Sequence, residues 1–553
     1  MMPAAHGRTH DERRGFANRL LSPDVLIPLA ISAILLLVGV RKSMHKYMWY
    51  DELATWHLVT DNSFRHLVAA LTAGADAAPP TYHTLAHWWT LAAGDSALSL
   101  RLFSCLGIIA SMWIFWMTLR RVFSWPATAV AVLSAYLTAL PVLHQTTEIR
   151  YYGLILVLFA AALNLALRLG TEEIPSLKLL AANSLVHAVM SNTHLFGGIY
   201  GGVLLLALMI GDALRGRPRW RVYASFFIGW LLFLFYLPIL KGQRSVTPYS
   251  WMMMPGAADL IESYEFGMTS LPLSLFAAVL LPIVFPVSWQ GRRGGTSRTP
   301  GSEARATQQL LLLAGCALLI PLISFVISHT VVIIFYDRYF IPGTLGLAVV
   351  FAWIVDTGER SIRAHLATDS HTSMAVPGYR KPLGIAVGAA FLLALAGGPF
   401  LWLMKSDLYD RPGATIEPLL TGDLRSLPVA VESRLAFLQL DFYPSPAPRV
   451  NYVFLTDSTY RFDPVAELEA SVYYGQLMQV YRDFGYRPGA NVFRAAEFYR
   501  MHPRFVVVDS RPGRWFQNRI EADTAAFTHQ FLGLAKKDSV WLVTVRNAGG
   551  SAP

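Results

Sequence analysis

Met48-Trp49-Tyr50-Asp51-Glu52-Leu53-Ala54-Thr55-Trp56-His57 follows a long apolar run, residues 24–41, and sets two adjacent carboxylates among aromatic rings. Acidic pairs at the mouth of a membrane segment are costly and mark sites of function. Asp51 also suits the N-cap of the short amphipathic helix that follows. Taken alone, the decapeptide leaves cap and catalyst in balance, and the rest of the chain has to decide between them.

The 553 residues are 54% hydrophobic and 15% charged, with a mean hydropathy of +0.41. Soluble chains carry about 25% charged residues, so this composition belongs to a membrane protein. Runs of bilayer-spanning length recur over the first 400 positions. Eleven are expected, at about 24–41, 98–119, 126–143, 151–168, 178–193, 196–213, 222–240, 271–289, 309–328, 339–356 and 383–403. Asn183, Ser184 and His187 interrupt the fifth. The fold class is therefore a polytopic α-helical membrane protein of about 11 transmembrane helices.

Charge supports that count. With the N-terminus cytoplasmic, the inward segments hold 20 Lys and Arg residues, including Arg13, Arg120, Arg215, Arg292 and Arg360. The outward loops and helix ends up to residue 404 hold nine, among them Lys46, Arg101, Arg150, Lys241 and Arg338. This is the positive-inside pattern, and one helix more or fewer would scramble it. It also puts everything after residue 404 outside, periplasmic for an inner-membrane protein. The formal charge of +10 is then mostly topology. Its dispersal over many loops argues against a nucleic acid partner. Cys105 and Cys316 both fall within expected spans and offer neither a disulfide framework nor a metal knuckle. Arg13-Arg14-Gly15-Phe16 lacks a following cleavage site and reads as part of a signal anchor.

The outward segments are the polar ones. The first, about 42–97, carries three helix-like runs: Leu53–Val59, Phe64–Ala73 behind the capping residues Asp61-Asn62-Ser63, and Thr81–Ala93 after Ala78-Pro79-Pro80. Their length and their Tyr82, His87, Trp88 and Trp89 faces suit interfacial helices. His144 to Tyr152 brings Glu148 and Arg150 to the same outer mouth, Ser191 to His194 forms another short loop, and Tyr336-Asp337-Arg338-Tyr339 opens the tenth span. Residues 241–270 form a longer loop containing Lys241 and Met252 to Met254. From Lys405 onward charged residues become common, 17 basic against 16 acidic. Strand-like runs at Pro428–Glu432, Val450–Leu455, Phe505–Asp509 and Val540–Val545 alternate with helix-like Pro464–Tyr481 and Ile520–Leu532. Residues 405–553 thus read as a soluble α/β domain after a transmembrane domain, 1–404. No glycine-rich phosphate loop follows any of these strands.

One reaction class suits this inventory. A lipid-linked phosphosugar sits with its head group at the outer face; a carboxylate deprotonates an acceptor hydroxyl; phosphate leaves, and cations hold its growing charge. Asp51 or Glu52 can supply the base. Arg150, Arg338 or a lysine such as Lys241 can supply the clamp, arginine best because its planar fork binds phosphate bidentately.

At these residues the chain resembles the C-type (GT-C) membrane glycosyltransferases that use polyprenyl-phosphate sugars, the superfamily of protein O-mannosyltransferases and aminoarabinose transferases. The resemblance runs through Tyr50-Asp51-Glu52-Leu53-Ala54-Thr55, Pro79-Pro80-Thr81-Tyr82-His83, Gly94-Asp95-Ser96 with Arg101, Glu148-Ile149-Arg150-Tyr151, His194-Leu195-Phe196-Gly197 and Asp337-Arg338-Tyr339-Phe340-Ile341-Pro342. It implies a GT-C-like fold and an inverting transfer from a polyprenyl-phosphate-sugar donor to a lipid, glycan or protein acceptor. Asp51 is then the general base, Glu52 its orienting or metal-contacting neighbour, and Glu148 the second acidic position. Arg150 and Arg338 fall near the donor phosphate, and Tyr82, His194, Lys241 and Tyr339 complete the substrate-contacting set. Some branches need a divalent cation such as Mg or Mn; Glu52, Glu148 and His194 are the residues here that could touch one.

Each residue has a plainer role to weigh. Asp51 can cap, Glu148 can pair with Arg150, and His194 can be a hydrogen-bonded helix-end histidine. Trp88 and Trp89 can be interfacial anchors. A flippase or transporter of a lipid-linked or anionic substrate is the rival function. It calls for ionisable residues buried mid-span and internally repeated broken helices, whereas these spans are nearly free of acids and show no repeat.

Overall fold

The computed structural model describes residues 22–246, 252–266, 300–368, 397, 411–446, 448–456, 478–509 and 516–546. The expected span at 271–289, that at 383–403 apart from residue 397, and most of the expected helix Pro464–Tyr481 lie outside these residues. The chain divides into two compact units. One comprises Met1–Met44, Leu100–Leu234 and Met252–Asp407; the other comprises His45–Ser99, Phe235–Trp251 and Leu408–Pro553.

The first unit is helical. Pro23–His45, Ala97–Leu119 and Tyr152–Thr171 are long and apolar enough to cross a bilayer, as is the composite helix Ser302–Thr330. Leu177–Ser191 and Gly197–Ala213 are apolar but shorter. Backbones approach closely at Gly107, where a Cβ would come within 2.9 Å of the Gly153 carbonyl carbon. Small residues make such crossings possible in membrane bundles. Asp212 is buried and binds Arg215, Arg219 and Tyr223, so part of the basic set between the sixth and seventh spans is tied down structurally.

Several expected spans are interrupted, and proline explains most breaks. The run at 126–143 is an α-helix only over Trp125–Leu133; a wide turn, Ser134–Thr138, leads to a kink at Ala139 (ψ 101°) and a short helix, Leu140–Gln145. Pro141 has no N–H to donate and its ring excludes the preceding turn. The run at 309–328 is split into Pro300–Ala317 and Ile320–Thr330, the second starting around Pro321. The tenth run begins with a short 3₁₀ turn, Asp337–Phe340, and its helix, Gly343–Thr368, starts only after Pro342.

In the second unit, the ends of the first loop's helices are close to expectation: Tyr50–Val59, Phe64–Thr72 and Pro80–Ala93. These helices are more than a surface layer. Tyr50–Val59 packs on helix Arg434–Phe442 of the C-terminal region. Trp56 meets Phe442 edge-on, and the Tyr486 hydroxyl donates to Asp61 at 2.8 Å. Tyr82 and His87, expected on interfacial faces, are buried.

The C-terminal region is an α/β domain with a six-stranded sheet, order β3-β2-β1-β4-β6-β5. Its strands are β1 Val429–Val431, β2 Tyr452–Thr456, β3 Val492–Arg494, β4 Arg504–Asp509, β5 Phe527–Ala535 and β6 Asp538–Val545. The first four are mutually parallel, and β6 and β5 add an antiparallel hairpin. Parallel strands covered on both faces read as unbroken apolar runs, as in Phe505–Val508. The helix expected over Ile520–Leu532 is a correction: after a wide turn at Phe516–Glu521, residues from Phe527 form β5. Pairing with the whole of β6 outweighs the local helical preference of Ala525, Gln530 and Leu532, an override common in sheets.

Candidate functional site

The expected residues divide between the two units: Asp51, Glu52, Tyr82 and Lys241 belong to the second, and Glu148, Arg150, His194, Arg338 and Tyr339 to the first. In the second unit, helix Tyr50–Val59 decides what the carboxylate pair does. Its N-cap is Trp49, not Asp51. Glu52, at the third helical position, reaches back so that the Trp49 N–H donates to Oε2 at 3.3 Å, and the same oxygen lies 3.7 Å from Lys46 Nζ. Glu52 is fully buried. The capping role that Asp51 could have filled thus falls to its neighbour. Asp51 sits half-buried in the first turn, its backbone carbonyl accepting from the Thr55 hydroxyl.

The loop ahead of this helix is held at both backbone groups of Met48. Its N–H donates to the Tyr443 hydroxyl at 2.8 Å, and its carbonyl accepts from Gln439 at 2.9 Å. Beyond the helix, Asp61 joins His66 at 2.5 Å and accepts from the Ser63 N–H at 2.9 Å. Partial burial pushes the Asp61 carboxyl up. The hydrogen bonds from Ser63, His66 and Tyr486, with the His66 charge, outweigh that and bring it below the usual carboxylate range. His57 is buried beside Phe442 and Tyr481, and burial, reinforced by Arg487, lowers its pKa to about 4. Tyr82 is core rather than lining, and Lys241 stands exposed on helix Leu237–Val246.

In the first unit, Arg150, His194, Arg338 and Tyr339 form an aromatic and cationic cluster. The His194 ring lies 4.7 Å from Tyr151, 4.8 Å from Tyr339 and 5.6 Å from Phe196. The Phe196 N–H donates to its Nδ1 at 3.2 Å, which leaves the proton on Nε2. Burial lowers the His194 pKa to about 3, and the charges of Arg150 and Arg338 push the same way. Each guanidinium rides on a tyrosine face, Arg150 over Tyr151 at 4.8 Å and Arg338 over Tyr336 at 4.7 Å. Tyr200 fixes the Tyr339 backbone with a 2.7 Å hydrogen bond. Glu148 is half-buried two residues before Arg150. The arrangement has one chemical bias: a neutral imidazole, phenols and two guanidiniums offer donors and positive charge to an anion.

Sequence reasoning named Arg150, His194, Arg338 and Tyr339. It did not foresee Tyr200 as a support or Lys46 as the partner of Glu52. An i, i+6 spacing across a helix start has no periodic signature, so only the fold brings that pair together. Among the described residues, no group of three or more His, Cys, Asp or Glu side chains could hold a metal ion.

This helical array with its C-terminal α/β domain is the fold of the C-type membrane glycosyltransferases. The chain is similar to ArnT from Cupriavidus metallidurans bound to undecaprenyl phosphate, at a TM-score of 0.51 and 14% identity, over 95% of this chain and 99% of that one. ArnT in the apo state gives the same TM-score and identity. The archaeal oligosaccharyltransferase AglB from Archaeoglobus fulgidus, in complex with an inhibitory peptide and a dolichol-phosphate, gives a TM-score of 0.43 at 11% identity, covering 87% of this chain and 69% of that one. No protein-family model matches the chain, and no curated protein does.

Proposed function

We propose that this chain is a membrane glycosyltransferase that moves a sugar from a polyprenyl-phosphate donor to a lipid, glycan or protein acceptor. The observation that carries this reading is the cluster at Arg150, His194 and Arg338, an anion-seeking group of side chains on a glycosyltransferase fold. The reaction runs on the periplasmic face of the inner membrane, with the N-terminus cytoplasmic. Residues 1–404 form the transmembrane domain and 405–553 the periplasmic α/β domain.

In this mechanism Asp51 takes the proton from the acceptor hydroxyl. The acceptor oxygen bonds to the anomeric carbon from the face opposite the phosphate, inverting it. The carbon–oxygen bond to phosphate breaks, and the electron pair leaves with the polyprenyl phosphate. Arg150 and Arg338 hold the charge that grows there. His194 stays neutral, so it can donate Nε2–H but adds no cation. Glu148 is a second acidic group whose carboxylate orients the acceptor or Arg150. Glu52 positions the helix start rather than reacting, because capping and the Lys46 contact already occupy its carboxylate. A Mg or Mn ion is not given a step, since the described residues do not assemble a ligand set for one.

The test is transfer by the purified protein in nanodiscs, supplied with polyprenyl-phosphate sugars and envelope lipid extract. Release of polyprenyl phosphate is the readout. Asp51→Asn should stop release while leaving insertion and melting behaviour intact. Full activity in that variant would remove Asp51 from the chemistry. Donor movement across the bilayer without any release would favour the flippase reading instead.

A further inference from the structure

The second unit contains a cavity of about 250 Å³ that the reaction above does not use. Its wall includes Lys46, Tyr47, Trp49, Arg411, Gln439 and Lys536, and among the described residues no acidic side chain lines it. The carboxylates that steady two of these cations, Glu52 and Glu417, are not among the lining residues. Lys46 is 3.7 Å from the fully buried Glu52. Arg411 makes a two-pronged contact with Glu417, at 2.8 and 2.5 Å. Anchored cations of this kind are positioned before a ligand arrives, and less ordering is lost on binding.

The backbone supports the same reading. Lys536 has φ 59°, the only positive value at a non-glycine residue among those described, in the two-residue connection between β5 and β6. A lysine there adopts a conformation that glycine takes at no steric cost. Gly413, in the wall, has φ +86°, and a Cβ there would meet Glu417 Oε1 and the Tyr452 hydroxyl at 2.8 Å. The Arg411 loop can therefore close against its partner only with glycine at this position. Gln439 and Tyr443 pin the opposite wall through Met48.

We propose that this cavity is an oxyanion site that takes a phosphate group of the acceptor. At about 250 Å³ it falls below the roughly 300–1,000 Å³ of sites for drug-sized ligands, so it suits a head group rather than a whole glycolipid. Lys536 brings a third positive charge to a wall where Lys46 and Arg411 are already matched by Glu52 and Glu417. Phosphate oxygens would share the N–H donors of these cations and of Gln439 with their present partners, while Tyr47 and Trp49 give the attached group an apolar wall. Lys46, Tyr47 and Trp49 immediately precede helix Tyr50–Val59, so a ligand held here is held by the loop that carries Asp51. The assignment of the phosphate to an acceptor rests on the glycosyltransferase reading; the oxyanion site itself does not.

The test uses full-length protein in nanodiscs, with Arg338→Gln as the background so that the other anion-seeking cluster is weakened. Inorganic phosphate is titrated calorimetrically at low salt. Separately, binding is measured to vesicles of phosphatidylcholine with or without phosphatidic acid, which displays a phosphomonoester. Phosphate binding that K536E and K46Q each weaken at least tenfold supports the site. Preference for phosphatidic acid vesicles that is lost in K536E assigns a lipid head group, and phosphate binding without that preference assigns a soluble phosphate. No phosphate binding, or binding unchanged in K536E and K46Q, overturns the proposal. K536E changes only a hairpin turn and guards against a folding defect. Phosphate binding that survives Asp51→Asn, in a protein where that variant still transfers sugar, would sink the catalytic reading and leave this site standing.

Discussion

The two charged clusters handle burial in opposite ways. Around Glu52, a buried carboxylate is matched by Lys46 and by the Trp49 N–H. Around His194, a buried base gives up its charge, because burial and two neighbouring guanidiniums all disfavour the cation. The first arrangement fixes a local structure, the start of the helix that carries Asp51 in its first turn. The second leaves an assembly whose positive charge resides on Arg150 and Arg338. Adjacent residues, or residues of one motif, can thus have very different roles, and the partner supplied by the fold decides which.

The comparison breaks most sharply at the carboxylate pair. Asp51→Asn should cost at least a hundredfold in transfer rate with melting temperature unchanged, as expected for loss of a general base. Equal losses in Asp51→Asn and Glu52→Gln would show that the two acids do not divide their work as described. In the other cluster, Arg338→Gln should lower kcat by about tenfold to a hundredfold, matching the roughly 1.5–3 kcal/mol of a hydrogen bond to a charged group. A rise in KM with kcat untouched would place Arg338 in ground-state binding only.

Glu52→Gln tests the structural side. It leaves Lys46 facing a neutral amide at a buried helix start and should destabilise the second unit by about 1–3 kcal/mol, read as a lower melting temperature. The smallest effect is a pH dependence. His57 has a folded pKa of about 4 against the ordinary histidine value of 6.5, so between these values the unfolded chain binds a proton that the folded chain does not. Stability should therefore rise from about pH 4 to about pH 6.5 and be flat above. His57→Phe should flatten that slope, and an unchanged slope would remove His57 as its source.

Much of the fold was legible because its signals are local. The apolar runs at 24–41, 98–119 and 151–168, the capping residues at Ser63 and the strand runs at 428–432 and 505–509 all report short-range preferences, and helices and strands formed there. Failures came where distant partners decide. Ile520–Leu532 was expected to be helical, yet from Phe527 onward it is a strand because β6 is available to pair with it. Long apolar runs hid the breaks at Pro141 and Pro321, since hydropathy averages over a proline that the backbone cannot ignore.

The sequence by itself determined that this chain lives in a membrane, carries an α/β domain after its spans, and concentrates acids and arginines in particular loops. Composition and period suffice for that, because solvation acts on each residue according to its own chemistry. Only the tertiary structure decided that Glu52 rather than Asp51 serves the helix cap, that Tyr82 is core, and that His194 is neutral between two cations. It alone gathered Lys46, Arg411 and Lys536 around one cavity. Those outcomes depend on burial and on partners hundreds of residues away, and neither is written in a local stretch of chain.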